Sequence, residues 1–233
     1  MLPGQMERLF LVVVMTTVCW SAPQDLSAKM FTFPAESDSA YAKLIPTKKI
    51  FASVTVCLRY FTDQRKGQSL FSMATPSHHN DIMLYKDNTL GSVSFWIRDV
   101  GLAFKELPDL LNTWSSTCGT WDSASGLGQL WVNGKASTRR QSYSGAGLDG
   151  SPVILLGQEQ DSYGGGFSKE QAFVGSISDV HMWDYVLSPC EIRRFTADLN
   201  YTPGNVLNWR GLSYTLTGRV VVEERQQDQQ CQV

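Results

Sequence analysis

The sequence has no excess of either charge: 20 Lys and Arg stand against 22 Asp and Glu in 233 residues, a formal charge of −2. Without a basic stripe it lacks the electrostatic footprint of a nucleic-acid binder, which argues against sequence-specific nucleic acid as a partner. No apolar run reaches the ~18 residues that a membrane-spanning helix needs, so a multi-pass membrane protein is excluded. The 3 His are not at zinc-finger spacing and no C-x-x-C pair occurs, which argues against a structural zinc site. Internal repeats, an interdomain linker and a Ser/His/Asp constellation are also missing. Aromatic residues, by contrast, are plentiful. The 7 Trp, 8 Tyr and 11 Phe bury more surface than a disordered chain can offer.

The chain opens with a polar segment, Met1 to Arg8, followed by the apolar run Leu9–Val18 and then Cys19-Trp-Ser-Ala22. This is the layout of a secretory signal peptide, with cleavage expected after Ser21. Residues 1–21 are therefore read as the signal and 22–233 as one secreted, extracellular domain. Losing Cys19 leaves Cys57, Cys118, Cys190 and Cys231, an even number in an oxidising compartment, with three possible pairings. Cys57 and Cys118 both lie in strand-like segments. A bridge between those strands would close a loop of ~60 residues, contributing roughly 4 kcal/mol.

Alternation dominates the rest. Val54, Val56, Leu58 and Tyr60 share one strand face; Val93, Phe95 and Ile97 share another, with Ser94, Trp96 and Arg98 opposite. Leu130-Trp-Val132 followed by Asn133-Gly134 predicts a tight hairpin, because Asn-Gly supplies the positive φ of a primed turn. Val153–Leu156 reads as a short buried strand, and Leu212, Tyr214 and Leu216 alternate once more. Ser188-Pro-Cys-Glu191 is a capping box with Pro189 in the first helical position. It predicts a helix whose Ile192, Phe195 and Leu199 face inward. From about residue 223 the chain becomes a polar tail. Many short strands and one helix predict an all-β fold, a two-sheet jelly-roll sandwich with the helix packed on it.

The candidate chemistry lies in Gly157-Gln-Glu-Gln-Asp-Ser-Tyr-Gly-Gly-Gly166, directly after the buried strand. Glu159 and Asp161 are two apart, so an extended backbone points both carboxylates the same way. Two carboxylates, a carbonyl between them and Gly-rich slack suit a hard cation such as calcium, which takes six to eight oxygens. Gln171 and the pair Asn80-Asp81 could complete the shell.

The chain resembles the pentraxin family, in its short members, through Leu156-Gly-Gln-Glu-Gln-Asp-Ser-Tyr-Gly-Gly165, Met182-Trp-Asp-Tyr-Val-Leu-Ser-Pro189 and Asn205-Val-Leu-Asn-Trp-Arg210. Phe31-Thr-Phe-Pro-Ala-Glu-Ser-Asp38, Thr55-Val-Cys57 and Cys118-Gly-Thr-Trp-Asp-Ser-Ala-Ser-Gly126 extend the likeness over essentially the whole mature chain, with Ser116 where the family usually has His. The resemblance implies a Cys57–Cys118 disulfide and a flat homo-oligomeric ring, commonly a pentamer. It also implies two adjacent calcium ions per subunit that bind phosphate-bearing or anionic ligands: phosphocholine, phosphoethanolamine or microbial polysaccharide. Innate immunity, an acute-phase role and complement or receptor contacts come with it. By position, Asn80, Glu159, the Gln160 carbonyl and Asp161 fall on ligands of the first ion, and Glu159, Asp161 and Gln171 on ligands of the second.

Two positions depart from the pattern. His79 stands where the family has an Asp ligand, and Ser168 where it has a Glu. Imidazole is a poor calcium ligand, so the expectation is weaker binding or a single occupied site, unless neighbouring Asp81 or Glu170 substitutes. Asp81 should point to the other face of its strand. Tyr85 falls at the position of an aromatic residue that cradles choline in one branch of the family. The segment Asp99-Val-Gly101, where an acid is expected beside it, offers no Glu. Asn200-Tyr-Thr202 is an N-glycosylation sequon. Cys190 and Cys231 are expected to pair with each other or to link subunits.

Two other readings stand against this one. A jelly-roll glycoside hydrolase would use Glu159 and Asp161 as its acids, but these point together instead of flanking a sugar, so no enzyme is expected. A pentraxin fold that has lost calcium, serving as an assembly protein, is the alternative that His79 and Ser168 keep open.

Overall fold

Alternate residues of the strand Ser53–Phe61 build two cores at once. Val54, Val56, Leu58 and Tyr60 are fully buried in the main core, as the alternation predicts. Cys57, on the other face, joins a second cluster with Cys118, Trp131, Trp183, Leu187, Ile192, Phe195 and Tyr201. The computed structural model describes residues 22–225. The signal segment 1–21, Cys231 and the tail beyond Arg225 lie outside the described residues.

The main core is the space between two antiparallel sheets, which form a sandwich. One sheet runs Lys135–Ala136, Leu127–Val132, Ser115–Asp122, Ser53–Phe61, Gly175–Trp183, Lys29–Phe33, Val221–Glu224, with Arg140–Gln141 and Leu207–Asn208 as side pairings. The other runs Tyr214–Thr217, Tyr41–Leu44, Val153–Leu156, Gln68–Thr75, His78–Lys86, Val93–Ile97, Val100–Phe104. Asn133 and Gly134 take φ of 48° and 77°, the primed turn their sequence predicts.

The helix, Pro189–Thr196, covers the outer face of the first sheet. Ser188 Oγ accepts from the Glu191 N–H at 3.3 Å, and Ile192 and Phe195 are buried. Directly beneath lies the Cys57–Cys118 disulfide, which joins paired residues of adjacent strands. Cys190 sits exposed on the helix.

Five expectations are corrected. Leu199 does not join the helix stripe: the helix ends at Thr196, Asp198 turns the chain at φ 54°, and Leu199 is 59% exposed. Glu191 does not close the capping box; its carboxylate accepts from Thr202 N and Arg194. Arg98 is not in a strand, because Arg98 and Asp99 take φ of 49° and 61° and form the turn between Val93–Ile97 and Val100–Phe104. Glu223 and Glu224 are not yet tail: they pair with Met30 and Lys29 in an edge strand. The alternating Leu212, too, precedes its strand and bridges to Gln24.

His181 is fully buried under the helix, stacked on Trp183 and edge-on to Phe195 and Tyr201. Its Nδ1 accepts from Gly204 N at 3.2 Å, and its Nε2 lies 3.2 Å from the Tyr201 hydroxyl. Burial, helped by Arg210 and Arg59, pushes its pKa from 6.5 down to about 3. The unfolded chain therefore takes up the proton first, and stability falls as pH drops below 6.5. Between pH 6.5 and 5 we expect His181 to cost about 2 kcal/mol. His181→Gln should flatten that part of the urea midpoint against pH; an unchanged slope would contradict the assignment.

Candidate metal centre

The segment after Val153–Leu156 is pinned from inside by its glutamines. Gln158 Nε2 donates to Ser37 O (2.6 Å) and Ala40 O (3.0 Å), and Gln160 Nε2 to Ser72 O and Val153 O, both at 3.1 Å. Gln160 Oε1 in turn accepts from Gly164 N, holding the Gly-rich turn. Gly157 begins the segment at φ 90°, packed so close to Phe33 that a Cβ would overlap the ring. With Gln158 and Gln160 turned inward, Glu159 and Asp161 face a common cavity, as an extended backbone requires.

That cavity, of about 310 Å³, is lined by Asn80, Met83, Tyr85, Asp87, Trp96, Glu159, Asp161 and Gln171. Met83, Tyr85 and Asp87 alternate with the core residues Ile82 and Leu84, so the cavity opens on the outer face of the second sheet. The helix and disulfide occupy the opposite face of the sandwich. Four expected residues, Asn80, Glu159, Asp161 and Gln171, thus come together with Tyr85. The backbone places Gln171 directly: its N–H donates to Ser168 O, and its carbonyl accepts from Ser69 N.

Electrostatically the site lacks positive charge. Glu159 is 3% exposed, and its Oε2 has no hydrogen-bond partner. Burial first, then the charge of Asp161 and a hydrogen bond with it, push the Glu159 carboxyl up to about 7. Asn80 Oδ1 is likewise buried and unpartnered. Burial, then Glu159 and Asp87, raise the Tyr85 hydroxyl to about 12. Buried oxygens without donors cost free energy unless something satisfies them. Two such oxygens on one cavity, with the Asp161 carboxylate as a further acid, are what a hard cation would satisfy. Among the described residues no group of three or more His, Cys, Asp and Glu is arranged to hold a metal. Apart from Asp87, whose carboxylate accepts from Ser92 and Ser94, the oxygen set is two carboxylates and two amides, low in charge but chemically suited to calcium.

The remaining candidates lie off this wall. Asp81 is fully buried, accepting from Thr75 Oγ1 at 2.6 Å and paired with Arg98 Nε at 3.3 Å, so it is committed elsewhere and does not substitute for the missing acid. His79 Nε2 stands 3.8 Å from Asp99 Oδ1. Ser168 Oγ donates to the exposed Glu170, and neither lines the cavity. Asp87, Trp96 and Met83 escaped the sequence reading, although the two-residue spacing from Tyr85 marks Met83 and Asp87. The Asp87 carboxylate accepts from Ser92 Oγ at 2.6 Å and Ser94 Oγ at 3.0 Å.

The model of the Pentaxin family matches residues 29–224. The chain is 40% identical to serum amyloid P-component of Rattus norvegicus over 228 residues, covering 96% of this chain and 98% of that one. It is 43% identical to C-reactive protein of Sus scrofa over 222 residues, covering 94% and 98%. Among solved structures, the native heptameric SAP-like pentraxin from Limulus polyphemus superposes with a TM-score of 0.77 at 22% identity, over 85% of this chain and 95% of that one. With the family model matching residues 29–224 and relatives about 40% identical over nearly their whole length, this chain belongs to the Pentaxin family.

Proposed function

We propose that the protein is a secreted, calcium-dependent recognition protein that binds phosphate-bearing or other anionic ligands as a homo-oligomeric ring. The observation that supports this most strongly is the buried, partnerless Glu159 Oε2 beside Asn80 Oδ1 over an open cavity. Asn80, Glu159, Asp161, Gln171 and the Gln160 carbonyl would hold the metal. Bound calcium would supply positive charge and open coordination positions for ligand oxygens. Tyr85, joined by Trp96, walls the cavity where the organic part of a ligand would lie. Because His79 and Ser168 add no carboxylate, affinity is expected to be low, or only one of two sites to fill. A ring compensates: several weak sites on one face give avidity to a repetitive surface. The Limulus relative is heptameric, and this chain is proposed to assemble likewise with copies of itself, the family's common number being five. Glu159 and Asp161 converge on one cavity wall, which supports binding over glycoside hydrolysis. A glycan on the exposed Asn200 would sit just beyond the helix, away from the cavity.

Retention on a phosphoethanolamine resin tests this reading. We expect binding in 2 mM calcium and release by chelator. Retention indifferent to chelator, or no retention at all, would favour the metal-free assembly protein.

A further inference from the structure

We infer that Asp99 is a positioning residue for the metal site, acting through Asn80; this rests on the calcium reading above. Asn80 lies at the start of the strand His78–Lys86, where pairing with Val93–Ile97 has ended at Ile82–Ile97. Beyond that register the turn Arg98-Asp99 takes over. Asp99 N donates to Asn80 O at 3.0 Å, and Asp99 Oδ1 accepts from Asn80 N at 2.9 Å. One residue thus holds both backbone polar groups of Asn80, and the second of these bonds is charge-assisted.

The consequence lies in the Asn80 side chain. It is only 8% exposed, and its Oδ1 has no partner within the protein. Fixing its backbone at both ends sets the direction in which the Asn80 side chain leaves the strand, and that direction puts the buried residue on the cavity wall. Preorganisation of this kind raises affinity by lowering the ordering cost of binding.

The other turn residue locks the clamp in place. Arg98 N donates to Asp81 O, its Nε pairs with Asp81 at 3.3 Å, and its guanidinium reaches Gly147 O at 2.6 Å. The arrangement needs positive φ at both turn positions, and Asp99 sits at 61°. Asp and Asn tolerate that conformation, and Gly adopts it freely. Asp99→Gly therefore removes the carboxylate without straining the turn, while Asp99→Asn keeps an acceptor oxygen in the same place.

The experiment compares the wild-type full chain, D99G and D99N by calcium titration calorimetry, alongside hydrogen exchange at the Asn80 amide in chelator. We expect D99G to bind calcium about tenfold more weakly and to lose Asn80 amide protection, and D99N to recover to within about threefold. In chelator D99G should melt a few degrees below D99N, because it loses the bond to Asn80 N and gains backbone freedom; a lowered melting temperature with wild-type calcium affinity would mark a purely structural role. Calcium binding by D99G equal to wild type, or protection retained in D99G, would overturn the role of Asp99 alone. Absence of calcium binding by the wild type would overturn the metal reading and this role with it.

Discussion

Glu159→Gln should make the metal-free protein more stable and remove most of its response to calcium. The native site holds a carboxylate away from water, next to Asp161, with one oxygen unpartnered. Its folded pKa of about 7 lies above the ordinary 4.5. The folded state therefore keeps its proton longer than the unfolded chain, and stability is lost as pH rises from 4.5 through 7. At pH 8 the whole penalty is present, about 1–2 kcal/mol after allowance for residual solvent screening. A neutral amide of the same shape removes it, so melting in chelator should rise by a few degrees. Calcium reverses the sign, because the ionised carboxylate is then the preferred partner. Affinity should fall about a hundredfold, or about 2.7 kcal/mol. Thermal melts of both proteins at pH 8, with chelator and with 10 mM calcium, check the two halves together. A variant less stable in chelator, yet still stabilised by calcium, would mean that Glu159 serves the fold and not the metal.

Removing the disulfide as C57A/C118A should cost about 4 kcal/mol, since it closes a loop across 61 positions. For a domain of this size that is roughly a 10 °C fall in melting temperature. The loss should be felt first at the helix, whose Ile192 and Phe195 share the cluster built over the bridge. Calcium affinity should stay within twofold, because the cavity opens on the opposite face of the sandwich. Chemical denaturation and calcium titration of the double variant test both statements. A loss below 1 kcal/mol, or a coupled loss of calcium affinity, would contradict them.

The sequence disclosed what depends on local pattern. Val54, Val56, Leu58 and Tyr60 alternate into the core, Asn133-Gly134 turns, Ser188 caps, and Glu159 and Asp161 share a face; each follows from two to four neighbouring residues. It concealed what depends on a distant partner. Nothing near Asp81 announces Arg98, and nothing near Arg98-Asp99 announces a turn, since neither residue is glycine. Leu199 keeps helical spacing, but the chain leaves the helix at Thr196 once Asp198 turns. Val221–Glu224 gains its strand only from pairing with Lys29–Phe33, which no composition reveals. Lys86 reads as a surface residue, yet it is buried in the sandwich, 3.2 Å from the equally buried Asp109, which accepts from Tyr60. At the site the donors were legible, while the wall of Asp87 and Trp96 and the Asp99 clamp became visible only when three strands were set side by side.

The most direct test is calorimetric titration of calcium into the wild-type protein at pH 8. Saturable binding at one or two sites per chain is predicted, with a dissociation constant of about 0.1–1 mM, in the range of low-charge extracellular sites. No heat of binding up to 10 mM calcium would contradict it, leaving the sandwich intact and its cavity without the proposed cation.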